Sequence, residues 1–173
     1  MEKDVNRLDT SLRHSKTLIP PQGIDLHFSC LKLVRGNREG FTCQTQAVNL
    51  ANSNIHSDKR FTASSFLANN EPYKARLRNT LGAWLPSSNN NTNDYLEVEL
   101  GDVFFICAVA TQGHPLRRQW TRSYKLHLFL RNWITYKENN SEKIFSGNGG
   151  GQNDIVTQVL VEVTRARIIR FQP

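Results

Sequence analysis

Residues 94–113 read DYLEVELGDVFFICAVATQG, and their pattern decides the fold class. Leu96, Val98 and Leu100 alternate with Glu97 and Glu99, the period of two that puts apolar side chains on one face of a half-buried strand. After Gly101 and Asp102 the alternation stops. Residues 103–111, VFFICAVAT, form a continuous β-prone run, as expected of a central strand covered on both faces.

The same signals recur outward from this stretch. SYKLHLFL (123–130) sets Tyr124, Leu126 and Leu128 on one side, and Lys125, His127 and Phe129 on the other. WITY (133–136), KIF (143–145), IVTQVLVEV (155–163) and ARIIRF (166–171) supply further short strands. The breaks between them, PSSNNNTND (86–94), KENNSEK (137–143) and SGNGGGQND (146–154), are rich in residues that accept positive φ or bond their own backbone. No helical period is sustained after residue 43. Short strands separated by such turns predict an all-β antiparallel sandwich or barrel. Residues 1–42 mix charges, a Pro-Pro pair and aperiodic apolar pieces, so they read as a leader or linker, partly disordered; 43–173 reads as one domain.

With 38% hydrophobic and 21% charged residues, the composition is that of a soluble globular chain rather than a disordered one. The formal charge is +7, with 7 basic against 5 acidic residues before Cys43 and 15 against 10 from it onward. The excess sits in the domain and favours an anionic partner: phospholipid, sulfated glycan, nucleic acid or an acidic protein. Nucleic acid is disfavoured, because the cations are dispersed and Trp120 and Tyr124 are used by a strand. No segment approaches the roughly 20 apolar residues needed to span a bilayer. The first residues lack the apolar core of a secretory signal. The sequence therefore reads as cytosolic or as a piece of a longer chain.

Cys30, Cys43 and Cys107 are an odd count, so at least one thiol has no partner within the chain. Cys107, inside the apolar run, is expected to be a buried, unreactive thiol acting as a small hydrophobe. No cysteine or histidine spacing suggests a metal. GNGGGQND (147–154) lacks the Lys-Ser/Thr ending of a phosphate loop. The histidines are scattered and no nucleophile elbow exists, so an enzyme is not expected. Asn90 and Asn139 head N-x-S/T triplets in polar loops and are candidate glycosylation sites.

The ordered series FTASSF, ARLRN, GAWLP, DYLEVELG, AVATQG, QWTRSYKL, WITY, IFSGN and ARIIRFQP resembles the discoidin domain, the coagulation factor V and VIII type C domain, over about residues 43–173. The resemblance implies a jelly-roll-like β-sandwich with loops, or spikes, projecting from one end. Those loops hold the ligand site in relatives. It implies an extracellular or cell-surface, peripheral binding and adhesion module, not an enzyme. The implied partners are an anionic membrane surface or a cell-surface glycan; the alternative is an extracellular matrix protein such as collagen, or a receptor. No cofactor is implied, and calcium stays open.

By the same resemblance, the first spike covers Ser65 to Tyr73, the second residues 85–94 and the third Gly113 to Gln119. The expected ligand-binding residues are Phe66, Leu67, Tyr73, His114, Leu116, Arg117 and Arg118. Phe61, Leu77, Trp84, Leu96, Val98, Leu100, Tyr124, Trp133, Phe145 and Ile168 correspond to sandwich-building positions. The family's last strand, with the cysteine that bridges to the first, is lacking here, so the partner of Cys43 is expected beyond Pro173, with a bridge to Cys30 as the alternative. LFLRN (128–132) replaces a longer family turn, and Glu99 stands where the family has Asp.

Overall fold

The two strands expected on either side of Gly101 are one continuous element. In the computed structural model, which describes residues 29–31, 48–88, 91–150 and 153–173, β3 (Leu96–Gln112) runs for 17 residues. Its corner is at Gly101, whose φ is 84° and whose missing Cβ leaves room for the Arg60 guanidinium. Any other residue would meet both a left-handed backbone and that guanidinium.

β9 (Ile155–Gln172) follows β3 antiparallel from Phe171 opposite Leu96 to Ile155 opposite Gln112. The register shifts between Glu99 and Phe104, and again between Ile106 and Ala108. Around this ribbon, β1 (Ser29–Leu31) and β2 (Phe61–Ala63) pair with the other side of β3. β4 (Ser123–Phe129) pairs with β9, and β5 (Trp133–Thr135) with β4. A small hairpin joins β6 (Lys137–Glu138) to β7 (Ser141–Glu142), and β8 (Phe145–Ser146) returns to β4. The sheet order is β1-β3-β9-β4-β5.

Because the ribbon turns its corner, both halves face one core, and the result is an all-β sandwich. Leu96 and Val98 from the first half share that core with Ile106 and Val109 from the second. Trp84, Tyr124, Phe145 and Phe171 fill it. Tyr124 stacks on Phe145 at 5.3 Å and on Phe171 at 5.1 Å between ring centroids. Full burial of each such side chain is worth about 1.5–3 kcal/mol. Burial pushes the Tyr124 phenol well above its usual range. Leading into β2, residues 48–60 are tied down by the buried Arg76, which donates to the Leu50 carbonyl, the His56 carbonyl (2.7 Å) and the Asp58 carboxylate (2.7 Å).

Two expected core residues lie elsewhere. Trp133 is 38% exposed, because it pairs with Phe129 on the face of β4 that also carries Lys125 and His127. There its ring supports the Arg170 guanidinium at 4.1 Å. Ile168 pairs with Glu99 on the outer row, and Ile169, opposite Val98, takes the core position. The register shift beyond Glu99 changes the parity, which sequence alternation alone does not reveal.

Cys107 also departs from expectation: it is buried as foreseen, but disulfide-bonded rather than a free thiol. Cys43 lies outside the described residues. Three residues of the expected leader form β1, whose register places the Cys30 backbone opposite Ile106, next to Cys107. LFLRN makes a tight β4–β5 hairpin, with Phe129 opposite Trp133.

Candidate functional site

β3 ends at Gln112, β4 starts at Ser123, β8 ends at Ser146 and β9 starts at Ile155, so the loops between them gather at one end of the sandwich. Backbone bonds lock them together. Gly113 N–H donates to Asp154 O (3.3 Å), Asn148 N–H to Thr121 O (2.8 Å) and Gly147 N–H to Arg122 O (2.7 Å). At Gly147 the Thr121 carbonyl stands where a Cβ would be.

The buried side chain of Gln112 is the crosspiece of this end. Its Oε1 accepts the Arg78 N–H at 2.7 Å, and its Nε2 donates to Asn153 Oδ1 at 2.8 Å. Through Arg78 the loop of residues 76–82 joins the cluster. The residues that follow this loop carry the first spike: Leu67 N–H donates to Leu85 O at 2.9 Å, and Asn70 Nδ2 to Ala83 O at 2.9 Å.

The first spike is held at its base by Asp94, whose Oδ1 accepts from Ser64 Oγ (2.6 Å) and Ser65 Oγ (2.9 Å). Trp84 Nε1 donates to the Ser65 carbonyl at 2.9 Å. Held this way, the loop exposes Phe66 and Leu67. Tyr73, at the end of the same spike, is half-buried and packed against the core.

In the third spike, His114 N–H donates to Gln119 O at 2.8 Å and closes the loop. The His114 ring is only 2% exposed, lies beneath the loop, and accepts the Leu116 N–H on Nδ1 at 3.1 Å. Burial, then the nearby Arg117 charge, holds its pKa below the usual value. His114 therefore supports the loop instead of standing at its tip. Leu116, at 67% exposure, with Arg117 and Arg118, forms the tip. Neither arginine makes an ion pair among the described residues.

Sequence reasoning missed Leu81 and Arg78. Leu81 is 80% exposed, in a turn fixed by Asn79, which accepts from Leu81 N–H and donates to Lys74 O and Gly82 O. Arg78 is exposed next to it with φ 65°. An apolar residue inside the turn-prone run RNTLG was the available signal. Of the candidate glycosylation sites, Asn139 is exposed in the β6–β7 turn, and Asn90 lies outside the described residues. Among the described residues no cluster of three or more His, Cys, Asp or Glu side chains is placed to hold a metal ion.

A sequence model of the F5/8 type C domain matches residues 60–173. The chain belongs to this family, the discoidin domains. Human neuropilin-1 is 26% identical over 166 residues, covering 92% of this chain, and zebrafish (Danio rerio) neuropilin-1a has the same figures. The chain spans 17% of the length of these relatives. Among solved structures, wild-type discoidin II from Dictyostelium discoideum superposes with a TM-score of 0.52 at 26% identity, over 65% of this chain and 48% of that one. The family 32 carbohydrate-binding module of Clostridium perfringens NanJ, solved with galactose, shares the fold at a TM-score of 0.50 and 16% identity, over 66% of this chain and 82% of that one. The F5/8 type C domain described here is thus a discoidin-type β-sandwich.

Proposed function

We propose that this F5/8 type C domain is an extracellular recognition module that docks reversibly on anionic phospholipid surfaces through its loop end. One observation carries the reading: Phe66, Leu67, Leu81 and Leu116 are exposed at the loop end, beside Arg78, Arg117 and Arg118, which have no ion-pair partner among the described residues. An apolar tip entering the headgroup boundary gains about 1.5–3 kcal/mol if fully buried. Each arginine near an anionic leaflet adds about 1 kcal/mol. A few such contacts give salt-sensitive, reversible binding.

Geometry favours lipid over glycan. Sugar recognition by stacking and hydrogen bonding would lean on Tyr73, His114 and the loop asparagines, and of these Tyr73 is half-buried and His114 buried. The disulfide at Cys107 supports an oxidising, extracellular setting. There the exposed Asn139 would carry a glycan.

Cosedimentation with phosphatidylserine-containing vesicles against purely phosphatidylcholine ones tests the proposal. The anionic vesicles should retain the wild-type chain, lose it as salt rises, and bind Arg117→Ala/Arg118→Ala and Leu81→Ala/Leu116→Ala more weakly. Equal retention on both vesicles would overturn the lipid reading. Binding abolished by free galactose would transfer the site to glycans. Retention of a matrix protein without lipid or sugar affinity would make the module a protein-adhesion domain.

A further inference from the structure

A second surface lies at the end of β4 away from the loops. On the β4 side, pairing of β9 stops at Ile168, and Thr164, Arg165 and Ala166 pair with β3 alone. A hollow of about 360 Å³ opens between this edge and the β4–β5 turn, lined by Leu128, Leu130, Ile134 and Val163, with Arg131 and Arg165 on its rim. A second hollow of about 560 Å³ shares Ile134 and Thr164 with it and continues past Lys137. The two hollows thus join at Ile134 and Thr164 into one groove, apolar by Leu130, Ile134 and Val163 and polar past Lys137, beside the edge at 164–166; one step further along β9 the Glu162 N–H is already taken by the Tyr136 hydroxyl at 2.9 Å. Val159 and Val161 extend the exposed apolar surface along β9.

The charges select the occupant. Arg131, Lys137 and Arg165 make no ion pair among the described residues, whereas Glu142, the carboxylate in the second hollow, is paired with Lys125 at 2.7 Å. Residues 1–28 carry 4 basic and 4 acidic side chains, and residues 32–47 carry 3 and 1, so the chain's own segments offer no net negative charge. A second copy, at +7, is repelled. We infer that this groove accepts an extended segment of a partner protein in which acidic residues alternate with branched apolar ones. The segment adds a strand along residues 164–166 of β9. Its apolar side chains fill the groove over Ile134 and Val163, and its carboxylates meet Arg131, Lys137 and Arg165.

Fluorescence anisotropy of the full chain with a pool of short labelled peptides, Asp or Glu alternating with Leu, Val or Ile, tests this. A matched pool carrying Lys in place of the acidic residues is the control. The acidic pool should bind saturably and the basic pool should not. Ile134→Asp and Arg131→Glu/Arg165→Glu, all at exposed positions, should each weaken binding at least about tenfold, while Leu116→Ala at the loop end leaves it unchanged. No binding at about 1 mM, or equal binding to the groove variants, would overturn the inference. So would hydrogen-exchange protection of the Ile134 and Thr164 amides that disappears when residues 1–28 are deleted, which would make the occupant the chain itself. Vesicle binding lost in Ile134→Asp but kept in Leu116→Ala would assign the groove to lipid instead.

Discussion

The side chain of Gln112 accepts the backbone amide of Arg78 at 2.7 Å, inside the end of the sandwich that carries the exposed loops. One residue thus sets the position of the 76–82 turn against the end of β3. Its other end, on Asn153, sets the start of β9.

Replacing Gln112 with Leu keeps a side chain of similar size and removes both bonds. It leaves the Arg78 N–H and the Asn153 amide without their partner, at a cost of about 1–3 kcal/mol. Chemical denaturation should show that loss. Vesicle binding should weaken as well, although no tip residue has changed. An unaltered midpoint would show that water replaces the glutamine without penalty.

Acid should destabilise the domain through two histidines. His56, buried and flanked by Arg60 and Arg76, and His114, buried near Arg117, both have pKa values held below the ordinary 6.5, with burial the main cause. The unfolded chain binds these protons more readily, so their contribution is intact above about pH 6.5 and is lost as pH falls through the lower folded-state values. Protonating His114 also removes the acceptor for the Leu116 N–H. Thermal melts between pH 8 and pH 5 should stay level at the upper end and then fall, and His56→Gln should reduce the slope. A Tm that rises on acidification would contradict this.

Arg76 holds residues 48–60 to the sandwich. Its guanidinium serves two backbone carbonyls and the half-exposed Asp58 carboxylate, and lies 4.3 Å from the Phe61 ring centroid. Arg76→Met should cost about 2–4 kcal/mol, since it leaves buried acceptors unpaired. Arg76→Lys should not restore stability, because a single ammonium cannot reproduce the planar fork. Urea unfolding of the two variants checks both statements.

Reduction should weaken the domain through Cys107. Cys107→Ser should lower stability by about 2–4 kcal/mol, and a reductant should lower the wild-type Tm while leaving the variant unmoved. Non-reducing peptide mapping should find the Cys107 peptide crosslinked. Recovery of that peptide with a free thiol would refute the bond.

Much of this architecture was legible along the chain. Alternation in residues 95–100 and 123–128 set Leu96, Val98, Leu100, Tyr124, Leu126 and Leu128 on the buried face. The polar breaks at 86–94 and 146–154 marked loops, whereas KENNSEK (137–143) holds the β6–β7 hairpin, and the ordered motifs identified the family. Leu116, Arg117 and Arg118 stood out because a Pro-containing turn with adjacent cations sits between two strands.

Local periodicity, backbone preference and charge were enough to place the long strands on either side of Gly101 and over 123–129 and 155–171, and to show a basic chain, but not β1, β6 or β7. Folding in three dimensions settled that Ile169 rather than Ile168 enters the core and that Trp133 supports Arg170 outside it. It also decided that His114 lies beneath its loop, and that Leu81 joins the exposed tips through Gln112. Each of those depends on register shifts and contacts between segments far apart in the chain, and a one-residue change of register reverses which face a side chain occupies.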